Sequence, residues 1–157
     1  MDVVIGVVLS LVGTALSAAK FYEAWTSKRR EVRPMLQIEF ENYGNKPLQI
    51  SLINKGLGPL RIKRLIIETP DGQFAGFRKF IEHYNFKGIR WYEFSSGLAG
   101  NVLSVGDNPL VILKCDQKKG DIESLREKLT AATISAAYMD IFDRMMPLSV
   151  RKCDWFQ

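Results

Sequence analysis

The stretch LQISLINKGLGPLRIKRLIIE, residues 48–68, carries the pattern that decides the fold. Leu48, Ile50 and Leu52 alternate with Gln49 and Ser51, the period of a half-buried strand. Asn54-Lys55-Gly56-Leu57-Gly58-Pro59 then interrupts the alternation. Its two glycines permit positive φ, and Pro59 fixes the entry to the next strand. From Leu60 to Glu68 the apolar pattern resumes, with a phase change between Ile62 and Leu65 that predicts a β-bulge near Lys63-Arg64.

The same grammar extends both ways. Upstream, Leu36, Ile38 and Phe40 alternate with Gln37, Glu39 and Glu41, and Asn42 to Asn45 is turn chemistry. Downstream, Thr69-Pro70-Asp71-Gly72 is a turn. Residues 73–94 mix Phe, Tyr and Trp with Arg and Lys and read as one or two irregular strands. Ser95 to Asn101 is a Gly/Ser loop, and Leu110 to Cys115 is a strand. Asp121 is placed to cap a short helix to Leu129, and strands follow over Thr133–Ile141 and Leu148–Trp155, joined by a turn at Phe142 to Met146. Seven or eight short strands and one connecting helix predict an all-β fold, an antiparallel β-sandwich.

Ahead of this domain, Val3 to Ala19 contains no charged residue. Such a run is long enough to cross a hydrocarbon core as a helix. Lys20, Phe21, Tyr22 and Trp25 follow, at headgroup level, and then the basic cluster Lys28, Arg29, Arg30 and Arg33. Lys and Arg beside a span are retained on the cytoplasmic side. The expected organisation is an anchor helix with a basic juxtamembrane segment over residues 1–33 and a cytoplasmic sandwich over 34–157, at a bacterial inner membrane. A cleaved secretory signal is the competing reading, with Ser17-Ala18-Ala19 as its cleavage site. The segment before the apolar run, however, has an Asp and no Lys or Arg. A buried core helix fits less well, since soluble helices show a polar face. Gly6, Ser10, Gly13 and Ser17 fall on one helical seam, the small-residue pattern by which helices associate in lipid. A homo-oligomer is the corresponding expectation.

The net charge is +5, and four basic and two acidic side chains in residues 1–30 leave the rest at +3. That is too mild to announce a nucleic-acid protein. Cys115 and Cys153 have no metal-ligand spacing and read as reduced, buried small hydrophobes. His83 stands alone, and no nucleophile motif, phosphate loop or Cys pair motif occurs. Asp140, Asp143 and Asp154 in the last hairpin read as solvated or turn-forming. The expectation is a protein that is not an enzyme, with no catalytic residues, metal or cofactor. The candidate ligand residues are Arg61, Arg64, Arg78, Lys79, Arg90 and Trp91, which would hold a phosphate of a nucleotide or lipid headgroup if the fold gathers them, with aromatics for stacking. Solvated strand-edge charge is the plainer reading.

Asn54, Gly56, Gly58 and Pro59 resemble the N-x-G-x-G-P motif of small bacterial membrane-anchored domains, most of them uncharacterised. Leu103-Ser104-Val105-Gly106-Asp107 resembles their L-x-P-G-[ED] turn, with Val105 for Pro. Tyr138 to Phe142 resembles their Y-x-D-[IV]-[FY]-G hairpin, with Asp143 for Gly. The resemblance implies an immunoglobulin-like sandwich behind an anchor and brings no catalytic residues. Three functions follow as expectations: an anchored interaction module that oligomerises and docks a partner protein; a membrane effector of a bacterial antiviral system that senses a nucleotide or protein; or a periplasmic envelope domain.

Overall fold

The computed structural model describes residues 2–42, 46–94, 98–116 and 120–154, without the side chains of residues 2–12, 29–31 and 94. The chain divides into two compact units, Met1–Arg33 and Pro34–Gln157.

The first unit is helix α1, Asp2–Glu31. Its described side chains from Gly13 to Trp25 are exposed, including Leu16, Phe21 and Tyr22. Ser17 Oγ donates to the Gly13 carbonyl at 2.8 Å, so one hydroxyl of the apolar run is satisfied within the helix. Among the described residues, no helix is long and apolar enough to cross a membrane. Residues 2–31 are thus helical, but the membrane span expected within them is not supported; the side chains of residues 2–12, Gly6 and Ser10 of the small-residue seam included, lie outside the described residues.

The second unit is two antiparallel sheets facing one another. One has the order β1 (Leu36–Glu41), β2 (Leu48–Asn54), β7 (Leu110–Cys115), β5 (Trp91–Phe94). The other has the order β4 (Gly72–Phe74), β3 (Leu60–Thr69), β8 (Thr133–Asp140), β9 (Ser149–Lys152), with β6 (Val102–Leu103) also on β3. The domain is mostly β with sandwich-like layering, as expected, but it holds two helices where one was expected. Alternation does the work: Leu36, Ile38, Leu48, Ile50, Leu60, Ile62, Ile67 and Ile134 point inward and are buried. The predicted bulge is present, as the β3–β8 register shifts between Ile62 and Arg64. At the open side of the sandwich, Arg151 Nη1 donates to the Ile38 carbonyl at 2.7 Å, and its guanidinium lies 4.8 Å from the centre of the Phe40 ring. One side chain thus joins the edges β9 and β1.

Residues 73–94 depart from the expected strands. Between β4 and β5 lies helix α2, Gly76–Tyr84, which buries Phe77 and Phe80 completely. Phe77, Phe80, Ile81 and Tyr84 recur at helical spacing, and burying that face outweighs the strand preference of aromatic residues. Helix α3, Ile122–Thr130, buries Ile122, Leu125 and Leu129. Asp121 does not cap it: its carboxylate accepts the Lys87 N–H at 2.8 Å instead. Here two chain segments cross closely. A Cβ on Gly120, whose φ is +74°, would lie 2.2 Å from the Gly88 carbonyl carbon. The last strand ends at Lys152, short of the expected Trp155, which lies outside the described residues, as do residues 43–45 and 95–97 of the two expected loops.

Candidate functional site

Two features of the sandwich can meet a partner: the loop-bearing end where β2, β3, β6 and β8 terminate or begin, and the outward face of the β3–β8–β9 sheet.

Asn54 builds the first. Its side chain is buried, and all of its hydrogen-bonding capacity is used. Nδ2 donates to the carbonyls of Gly58 at 2.8 Å and Leu103 at 3.0 Å. Oδ1 accepts the N–H of Gly56 at 3.0 Å and of Met35 at 3.3 Å. One amide therefore ties together the start of β1, the β2–β3 connection and β6. The expected positive φ at Gly56 and Gly58 is not found: the described positive-φ glycines are residues 72, 76, 88, 100, 106 and 120. Asn54 holds this turn, and Gly58 is buried within it.

Asp140, at the end of β8, builds the neighbouring turn. The carboxylate is 2% exposed. It accepts the N–H of Phe142 at 2.8 Å and of Arg144 at 3.0 Å. The Arg144 guanidinium closes on it through Nε at 2.7 Å and Nη2 at 2.6 Å. Burial raises the Asp140 pKa, but the hydrogen bonds from the Arg144 backbone and side chain and from the Phe142 N–H outweigh it, holding the carboxyl below its ordinary range. Asp143, in the glycine position of the hairpin motif, takes φ +57°, which Asp tolerates. Of the two expected readings, solvated or turn-forming, Asp140 takes the second, and it is buried.

The outward face follows from register, because residues opposite one another on antiparallel strands share a side. Arg61 faces Met139 and Val102, Arg64 faces Ala137, Ile66 faces Ser135, and Ser135 faces Val150. Val102 and Val150 are exposed, Ile66 and Ser135 are half-buried, and Ala137 and Met139 form the floor. The outward rows of β1 and β2 are more polar: Gln37, Glu39 and Glu41, with Gln49, Ser51 and half-buried Ile53. Half-buried Val111 of β7 lies opposite Ser51.

The structure spreads the expected ligand residues over separate places. Arg61 pairs with Asp143 at 3.5 Å at the loop end. Arg64 stands at mid-strand on the outward face. Arg78 and Lys79 are on α2, each beside Glu82, at 3.9 and 3.3 Å. α2 follows β4, which pairs with the Ile67–Thr69 end of β3, about 20 Å along the strand from Arg61 at about 3.3 Å per residue. Arg90 lies 5.4 Å from the Tyr92 ring centre, and Trp91 is half-buried against Phe86 in the other sheet. Nor do Phe74, Phe77, Phe80, Tyr84 and Phe86 offer a stacking platform, because they pack on each other. Phe80 contacts Phe74, Phe77, Tyr84 and Phe86 at centroid separations of 5.1–6.0 Å.

Asp71 joins this cluster from outside. It accepts the Tyr84 hydroxyl at 2.8 Å and Lys128 Nζ at 3.3 Å, and both hold its pKa down. Lys79, Glu82 and His83 do line an open depression with Gln73, Phe74 and Ala75. Cys115 and Cys153 are free thiols, fully buried, with burial pushing each up to about 12. Among the described residues, no group of His, Cys, Asp and Glu is placed to hold a metal.

Compared with protein-family models, with curated proteins and with solved structures, the chain matches none.

Proposed function

We propose that this protein is a single-pass, membrane-anchored interaction module whose sandwich docks a protein partner on the outward face of the β3–β8–β9 sheet. The observation that carries the reading is the asymmetry of the two sheets. Half-buried Ile66 and exposed Val102 and Val150 stand over a floor of Ala137 and Met139 on the outward rows of one, whereas Ile53 and Val111 stand among Gln37, Glu39, Glu41 and Gln49 on the other. Apolar side chains gathered on one face mark an interaction site. Arg64 and Lys152 border it and supply polar rim contacts.

The anchor rests on the uncharged run from Val3 to Ala19, which lies within a 30-residue helix whose apolar side chains Leu16, Phe21 and Tyr22 face outward. The basic cluster from Lys28 to Arg33 puts the domain on the cytoplasmic side of a bacterial inner membrane. Small residues on one seam, Gly6, Ser10, Gly13 and Ser17, pair the helices into a homo-oligomer. The strand order supports an immunoglobulin-like reading and the resemblance that suggested it. With β1, β2, β7 and β5 read as strands A, B, E and D, and β3, β8 and β9 as C, F and G, the strand order is that expected of an immunoglobulin-like sandwich, with β4 beside β3 and β6 as additions. The dispersal of Arg61, Arg78 and Arg90 favours a docking module over a nucleotide-sensing effector.

A photo-crosslinking residue at Ile66 or Val150, installed in the full chain in cells, tests the docking face. Adducts of discrete mass at these positions, absent at Gln37, support it. No adduct at either, or only adducts of the mass of two chains, removes the partner from this face.

A further inference from the structure

The domain's exposed large apolar side chains are not scattered. Leu57 on the β2–β3 connection, Val102 on β6, Val105 beyond it, and Ile141, Phe142 and Met145 on the β8–β9 turn are all exposed at one end of the sandwich. Pairing puts these segments together: Leu60 lies opposite both Leu103 and Asp140, and Leu52 opposite Leu110. Elsewhere in the domain, Tyr92, Leu148 and Val150 are the exposed large apolar residues among the described ones. Single exposed apolar side chains need no explanation, but a gathered set on loop tips does.

The basic side chains beside these tips have partners in place. Arg144 is paired with Asp140, Arg61 with Asp143 and Lys55 with Glu39, while the Asp107 carboxylate accepts the Ser104 N–H at 2.7 Å. The Arg144 guanidinium also lies 5.4 Å from the Phe142 ring centre. The tips therefore present apolar side chains backed by internal ion pairs. They are held on a rigid frame by Asn54 and Asp140.

The chain enters the domain at this same end. The Met35 N–H is bonded to Asn54, and the Met35 carbonyl accepts the Lys55 N–H at 2.8 Å. Helix α1 stops at Glu31 and β1 begins at Leu36. The residues between, 32–35, reach at most about 14 Å when extended. Beyond the uncharged run α1 continues from Lys20 to Glu31, about 18 Å at about 1.5 Å per residue, so span and loop end are joined by a connection of about 30 Å at most, short enough for a high effective concentration at the surface α1 leaves.

We infer that the loop end docks on the lipid surface, with Leu57, Val105, Ile141 and Phe142 dipping into the headgroup layer of the leaflet that α1 leaves. The inference rests on the reading of Val3–Ala19 as a membrane span. Burial of apolar tips, with the basic side chains beside them already paired, makes this docking insensitive to salt, unlike attraction of a basic patch to anionic lipid.

The test uses the full chain in phosphatidylcholine vesicles, with and without phosphatidylglycerol. An environment-sensitive fluorophore is attached through Leu57→Cys, Val105→Cys, Phe142→Cys or, as control, Gln73→Cys on β4, beside the far end of β3. The two native thiols are buried and held protonated, so only the introduced cysteine labels. The expected result is blue-shifted emission and quenching by brominated lipid at the three tip positions, unchanged at high salt and absent at Gln73. Tip labels as wet as Gln73 on vesicles that carry the protein through flotation overturn the docking alone. Blue-shifted tips that brominated lipid does not quench assign the end to a protein contact and overturn it equally. Failure to float overturns the anchor reading and the docking with it.

Discussion

Removing the Asp140 carboxylate should open the β8–β9 turn. Asp140→Ala leaves the N–H groups of Phe142 and Arg144 without their acceptor and strips the Arg144 fork of its partner. A hydrogen bond to a charged group is worth about 1.5–3 kcal/mol, and breaking one side of a buried pair costs about 3–5 kcal/mol. Arg144 is half-exposed and can turn to water, which recovers part of its loss. The expected cost is therefore about 3–4 kcal/mol. At roughly 4 °C per kcal/mol for a domain of this size, Tm falls by about 12–16 °C. Asp140→Asn keeps an acceptor for the backbone but faces Arg144 with an uncharged amide, so it should cost about half as much. The sign with pH follows from the lowered pKa of Asp140. Its contribution is complete above the ordinary carboxylate value of 3.8 and is lost as pH falls from there through the lower folded value. Thermal melts of the full chain and both variants at neutral pH and below pH 3.8 measure this. The reasoning fails if Asp140→Ala costs under about 1 kcal/mol, or if wild type and Asp140→Asn lose stability in parallel on acidification.

Gly120→Ala should destabilise by at least about 2 kcal/mol, since its Cβ meets the backbone at residues 87–89 and its φ is positive; an unchanged melt would contradict the crossing. Asn54→Ala should cost about 2–4 kcal/mol by orphaning buried backbone groups of Gly58 and Leu103, whereas Asn54→Asp, which cannot donate there, should be no better; a melt near wild type for either counts against the amide as the clasp. Gly13→Leu should lower the yield of cross-linked oligomers in membranes more than Val8→Leu, and equal yields remove the seam. A cysteine at exposed Asn101 should react with an impermeant maleimide only after cells are permeabilised; labelling of intact cells puts the domain on the other side.

The parts of the fold that were legible are those written in local periodicity. β1, β2, β3, β7 and β8 follow from alternation, and the bulge at Ile62–Arg64 from a phase change. α2 is not written in alternation, and the aromatic residues Phe77, Phe80 and Tyr84 also favour strands. Their spacing of three and four, and the i,i+4 pair of Arg78 with Glu82, were the available signals. The roles of Asn54 and Asp140 are not local at all. Asn54 bonds to Leu103, far along the chain, and the burial of Asp140 comes from strand pairing rather than from its neighbours in sequence. For the same reason the basic residues between Arg61 and Arg90 looked like one group in sequence. A helix and a change of sheet intervene and set them apart.

The central claim is that α1 holds this domain at a membrane, and fractionation after alkaline carbonate washing tests it most directly. The full chain, expressed in bacteria, should stay in the membrane pellet, and Val8→Lys with Leu11→Lys, two charges at about +3 kcal/mol each in a span, should release it. Recovery of the unmodified chain in the carbonate supernatant would contradict the account.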